Sequence, residues 1–144
     1  MNDSERLFAA VELGDANAVA RLLDAHPELI GIVRGRGMTL LHEAARLNRR
    51  DAVRVLLEHG ADISAVDERH GGTPLAWAVF YGHVETARVL LQHGADATAV
   101  DGYGNPPLYY TEGGKHGELE GWGPTAAPDD YEECAAVLAA YLEQ

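Results

Sequence analysis

An all-helical solenoid of stacked helix–turn–helix units, joined by short β-turn fingers, is the fold class that three observations in this sequence predict. The chain matches itself at a spacing of 34 residues: laying 39–67 on 73–101 gives identity at 14 of 29 positions. Inside each copy the apolar residues recur at helical spacing, as Val53, Leu56 and Leu57 do in "AVRVLLEHGAD". Each such run then stops at a glycine, Gly60 or Gly94, the residue that reaches a left-handed C′ conformation most cheaply. A pair of helices this short cannot bury its own apolar face, so several pairs must stack into one continuous core.

Taken in chain order, the elements follow from that register. Ala10, Gly14, Leu22, Leu23 and Asp24 fall under Ala44, Asn48, Leu56, Leu57 and Glu58, which predicts a degenerate, capping first copy over about 3–33. The second copy, 34–67, starts its first helix at Thr39, whose hydroxyl can accept from free helical N–H groups. The third, 68–100, starts at Thr73 with Pro74 at the first helical position, where a missing N–H costs nothing. It also carries one extra residue in "DERHGG". The fourth, 101–144, restarts at "DGYGNPPLYY" and resumes at "YEECAAVLAAYLEQ". Between these halves 111–128 is expected to be an insertion in the turn between the two helices. One domain spanning 1–144 is the resulting organisation, a length suited to a single core.

The stretch "GGTPLAWAVFYGHVETARVLLQHGADATAVD" resembles an ankyrin repeat, with G-x-TPL, G-H, the V-x-LL run, GAD and the closing Asp in order. The resemblance implies a non-enzymatic protein–protein interaction module that uses no cofactor. It also implies that His42 ties neighbouring turns together and that Ala76, at the same place in copy three, leaves a looser junction. Copy two departs from the family at Leu40 and at Asn48–Arg49, and copy four at "NPPLYY".

Charge bounds the partner. With 23 acidic against 11 basic residues and a formal net charge of -12, the field repels phosphate backbones and anionic headgroups, so neither nucleic acid nor a membrane surface is expected. A protein partner with a basic or apolar segment is. Arg34 and Arg36, with Arg46, Arg49 and Arg50, read as solvated positions against this background. Cys134 is the only cysteine and sits in an acidic, then apolar setting that should raise its thiol pKa. The N-terminus is polar and charged, with no apolar run of membrane-spanning length. A cytoplasmic monomer is expected.

The binding surface is read from "TPLAWAVFYGH". Phe80 and Tyr81 fall at positions that, by the resemblance, end the inner helix on the concave side, and Trp77 shares a face with Tyr81 at i, i+4 spacing. Arg46 and Leu47 are their equivalents in copy two. Arg36, Met38, Arg69, Tyr103 and Asn105 belong to the turn tips, Tyr110 to the start of copy four and Trp122 to the insertion. Trp122 could extend this surface or cover it. No metal or catalytic residue is assigned, because His42, His59, His83 and His93 occupy repeat positions and no nucleophile, zinc or phosphate-loop spacing occurs. The alternative is a small enzyme or metal-dependent site around His116 in the glycine-rich insertion, with Glu112, Glu118 and Glu120 nearby.

Overall fold

The computed structural model describes residues 1–119 and 126–143 of the 144. Among these, the chain forms four successive helix pairs: α1 (Asp3–Leu13) with α2 (Ala16–Ala25), α3 (Leu40–Arg46) with α4 (Arg50–Glu58), α5 (Pro74–Phe80) with α6 (Val84–Gln92), and α7 (Pro107–Lys115) with α8 (Pro128–Leu142). Side-chain caps set the starts. Asn2 accepts from the Glu5 N–H at 2.8 Å, Asp15 from Ala18 at 3.0 Å, Thr39 from His42 at 3.1 Å and Thr73 from Ala76 at 3.2 Å. Gly60 and Gly94 follow α4 and α6 with φ of 90° and 95°, the expected stops.

The odd-numbered helices pack in one row, α1 on α3 on α5 on α7, and the even-numbered helices in a second. Between the rows runs one apolar core, with Leu7, Val11, Leu23, Leu41, Leu56, Leu75, Val79, Leu90 and Leu138 all buried. The stacked all-helical solenoid is therefore present, and no pair holds a core of its own.

The fingers link edge to edge. In the first, β1 (Val33–Arg34) and β2 (Met38–Thr39) pair antiparallel, Val33 opposite Thr39. The Glu68 N–H of the second finger donates to the Arg36 carbonyl at 2.8 Å, and the Gly102 N–H of the third donates to the His70 carbonyl at 2.8 Å. His42 adds the expected tie, its Nδ1 2.9 Å from Thr39 Oγ1 and its Nε2 2.8 Å from the Gly72 carbonyl oxygen. At Ala76 that tie is missing, yet the second and third fingers still meet through Gly102 and through His70, whose Nδ1 lies 3.3 Å from the Tyr103 hydroxyl.

Two expectations need correction. The insertion does not begin at Thr111: α7 continues through Gly113 and Gly114 to Lys115, so its described flanks are 116–119 and 126–127. The helix survives two glycines because Tyr131 of α8 packs where a side chain at Gly114 would be, tertiary contact overriding weak propensity. Leu56 and Leu57 are also not equivalent. Leu56 is fully buried while Leu57 packs only partly against the core.

Candidate protein-binding surface

Helix α5 is short, and its apolar positions divide between two tasks. Leu75, Ala78 and Val79 face the core, which leaves Trp77, Phe80 and Tyr81 half-buried on the other side. The three rings touch: Trp77 and Tyr81 have centroids 6.2 Å apart, and Phe80 meets Tyr81 edge-on at 5.2 Å. Such pairings add to area burial when centroids lie within about 7 Å. Neighbouring repeats lengthen the row. Tyr110 of α7 stands edge-on to Phe80 at 5.5 Å and to Tyr109 at 5.3 Å. On the finger side His70 lies 5.8 Å from Trp77 and 6.1 Å from Tyr103.

Two carboxylates, one buried and one half-buried, bond to this row. Asp67 is 1% exposed and accepts three hydrogen bonds: from Trp77 Nε1 at 3.0 Å, the Gly72 N–H at 2.9 Å and the His70 N–H at 2.8 Å. Burial opposes its ionisation, but the bonds from Trp77, His70 and Gly72 together outweigh it and hold the carboxyl below its usual range. Asp101 repeats the device one copy on, accepting from the Tyr103 and Asn105 N–H groups at 2.9 and 3.1 Å and from the Tyr110 hydroxyl. Burial, then that bond to Asp101, pushes the Tyr110 phenol up to about 12.

Beyond Tyr81 the surface changes character. Glu43 occupies in copy two the place of Trp77, and it is 3% exposed. It pairs with Arg46 and, at 3.3 Å, with Arg34, which also pairs with Glu12 and lies 4.3 Å over the Phe8 ring. A buried carboxylate is tolerable only when paired in this way. Arg34, Arg46 and also Arg49, whose Nε donates to the Glu12 carbonyl at 3.0 Å, are thus engaged by partners, while the Arg34 and Arg46 side chains stay in contact with solvent as their charge context suggested. His83 stacks on Tyr81 at 6.0 Å with its Nε2 2.9 Å from the Arg46 carbonyl oxygen, and burial lowers its pKa.

Ankyrin repeats, as three consecutive copies, match residues 7–110. The chain belongs to the ankyrin-repeat family. No curated protein matches it significantly. Ankyrin repeats are generally protein–protein interaction modules and are typically not enzymes.

On this ankyrin stack the residues singled out in the sequence fall into three groups. Trp77, Phe80, Tyr81, Tyr103 and Tyr110 form one contiguous row. Arg46 and half-buried Leu47 adjoin it on α3 and its C-cap. Arg36 and Arg69 are exposed on separate fingers and enter no ring contact among the described residues, while Met38 is half-buried in β2 and Asn105 supplies its backbone N–H to Asp101. Trp122 lies outside the described residues. Sequence reasoning missed His70, Tyr109, Asp67, Asp101 and Glu43 as parts of this surface. Asp67 and Asp101 were visible as the recurring terminal Asp of the repeat; Glu43 gave no signal, because nothing in the sequence shows that the finger residue Arg34 reaches it on α3.

The remaining reactive groups of this ankyrin domain stand apart from the row. Burial pushes the Cys134 thiol up to about 12, which makes it a packed hydrophobe at neutral pH. His116 is exposed at the end of α7, and Glu112 beside it is taken by Lys115 at 2.8 Å. Glu120 lies outside the described residues. Among the described residues no group of three or more His, Cys, Asp or Glu is placed to hold a metal ion, and no helix is long and apolar enough to cross a membrane.

Proposed function

We propose that this ankyrin-repeat protein binds a protein partner on the inner-helix face, with Trp77, Phe80, Tyr81 and Tyr110 at its centre and Arg46 and Leu47 at its edge. The observation that carries the proposal is the row itself: rings that contact one another at 5.2 to 6.2 Å yet stay half-exposed. Clustered aromatics are where interfaces concentrate their energy, a few residues each contributing about 2 kcal/mol or more on truncation. The caps, fingers and carboxylates fix the rings before any partner arrives, so association loses little conformational freedom. Arg36, Met38, Arg69, Tyr103 and Asn105 would border the contact from the fingers. The proposal takes the whole chain as one array, with α7 and α8 as a fourth, insertion-bearing repeat beyond the matched residues, acting as a cytoplasmic monomer.

The test is affinity capture from a source lysate on the immobilised protein and on its Phe80→Ala/Tyr81→Ala variant, read by mass spectrometry. The expected result is a protein retained by the first and absent from the second, with the melting temperature within a few degrees. Equal retention by both would move binding off this face. A collapse in stability would show that the two rings serve the core.

A further inference from the structure

We infer that the aromatic row is a cation-accepting strip, and that the partner segment it takes carries an arginine whose guanidinium lies over Trp77 and Tyr81. This inference rests on the protein-binding reading above and adds the chemistry of the occupant.

Three observations carry it. First, two carboxylates bond to rings of the row. Asp67 accepts from the indole N–H of Trp77 and Asp101 from the phenol of Tyr110, and a carboxylate on the polar edge of such a half-exposed ring adds electron density to its faces. Those faces attract cations through the ring quadrupole, and a planar guanidinium also stacks on them. Second, among the described residues no arginine or lysine is placed over a ring of the row, although Arg46 adjoins it. Among the described residues the arginine placed over a ring is Arg34 over Phe8, at the far end of the face, and Arg46 is committed to Glu43. The imidazole stacked on Tyr81, His83, is disfavoured as a cation by its burial. Third, the formal net charge of -12 draws positively charged segments from a distance. Net charge alone would favour any basic surface, whereas Trp77, backed by Asp67 and paired with Tyr81 at 6.2 Å, picks out where the cation goes.

The probes are two acetylated pentapeptides, one alternating leucine and arginine, the other with citrulline in place of arginine: the same shape without the charge. The reporter is the indole N–H signal of Trp77 in the 15N spectrum of the full chain, assigned with Trp122→Phe, since the protein has two tryptophans. Saturable shifts of that signal by the arginine peptide are expected, with citrulline binding about three- to thirty-fold more weakly. Tyr81→Leu, which keeps an apolar contact and removes the ring, should bring the arginine peptide close to the citrulline affinity; Tyr81→Met serves if that variant melts early. Equal affinity for both peptides at the Trp77 signal overturns the inference but leaves a protein-binding face. No shift at Trp77, or an arginine affinity unchanged by Tyr81→Leu, overturns it as well, and reduces the attraction to net charge. The reading of the face as protein-binding then stands or falls on the capture experiment.

Discussion

The Tyr131 hydroxyl donates to the Phe80 carbonyl at 2.8 Å, joining α8 to the end of α5 across 51 positions of sequence. It closes a series. The carbonyls of Glu12, Arg46 and Phe80 stand at the same place in successive repeats, and the first two accept from Arg49 Nε at 3.0 Å and bond His83 Nε2 at 2.9 Å, side chains that begin the second helix of the next copy. In the last copy the insertion separates the helices, and Tyr131, fully buried, supplies the third bond from inside α8.

Replacing this tyrosine tests the closure directly. Tyr131→Phe keeps the ring and strands a carbonyl, which should cost about 1 to 3 kcal/mol in urea unfolding. A loss below a few tenths would mean that water satisfies Phe80 as well as the phenol does.

Gly114→Ala tests the same joint from the other side, because a Cβ there runs into the Tyr131 ring. Overpacking of this kind costs about 1 to 3 kcal/mol. Combined with Tyr131→Leu, the loss should be clearly less than the sum of the two single losses, as expected for residues in contact. Strict additivity would separate the two sites.

These contacts also mark what the sequence could not disclose. The helix pairs, Thr39 and Thr73 as caps, the stops at Gly60 and Gly94 and the clustering of Trp77, Phe80 and Tyr81 all follow from local patterns repeated at one spacing, so they were legible. The continuation of α7 through Gly113–Gly114 was not, because glycine lowers helix propensity and the contact that compensates arrives from Tyr131. The charged half of the surface was hidden for a similar reason: Glu12, Arg34 and Glu43 look like solvated charges until the first two repeats bring them together. Leu56 and Leu57 were read as one stripe, although the core reaches only the first completely.

That difference should appear in stability. Leu56→Ala removes a fully buried side chain and should cost about 2 to 5 kcal/mol, enough to unfold a marginal array. Leu57→Ala should cost visibly less, since its site is partly open to water. Matching losses in chemical denaturation would contradict the burial assigned to Leu57.

Asn48 supports a third comparison. It holds φ at 60°, the place that Gly14 and Gly82 fill at 73° and 69° in the neighbouring copies, and its Oδ1 accepts from Thr86 Oγ1 at 2.7 Å. Asn48→Gly loses the bond but relaxes the backbone, so a net loss of about 1 kcal/mol or less is expected. Asn48→Ala loses both and should be about 1 kcal/mol worse than the glycine variant. An alanine variant as stable as the glycine variant would deny the strain.

The pH dependence of folding should follow His42. Burial lowers its pKa in the folded protein, against the weaker opposing pull of its bond to Gly72 and of Asp67. The unfolded chain therefore binds the proton more readily. Stability contributed by neutral His42 is complete above the ordinary histidine pKa of about 6.5 and is lost as pH falls through the folded value. His83, lowered by burial, acts in the same direction. His59, raised chiefly by its bond to Asp24, acts oppositely, its contribution present below that range and fading as pH rises through its folded value. From pH 7 to 5 the wild-type free energy of unfolding should fall, each lowered histidine contributing at most about 1.4 kcal/mol per pH unit. His42→Asn lowers the baseline, because the Gly72 tie is lost, but it should also flatten the slope in this window. His83 maintains what slope remains. A variant that is merely less stable, with the wild-type slope intact, would remove His42 from the pH response.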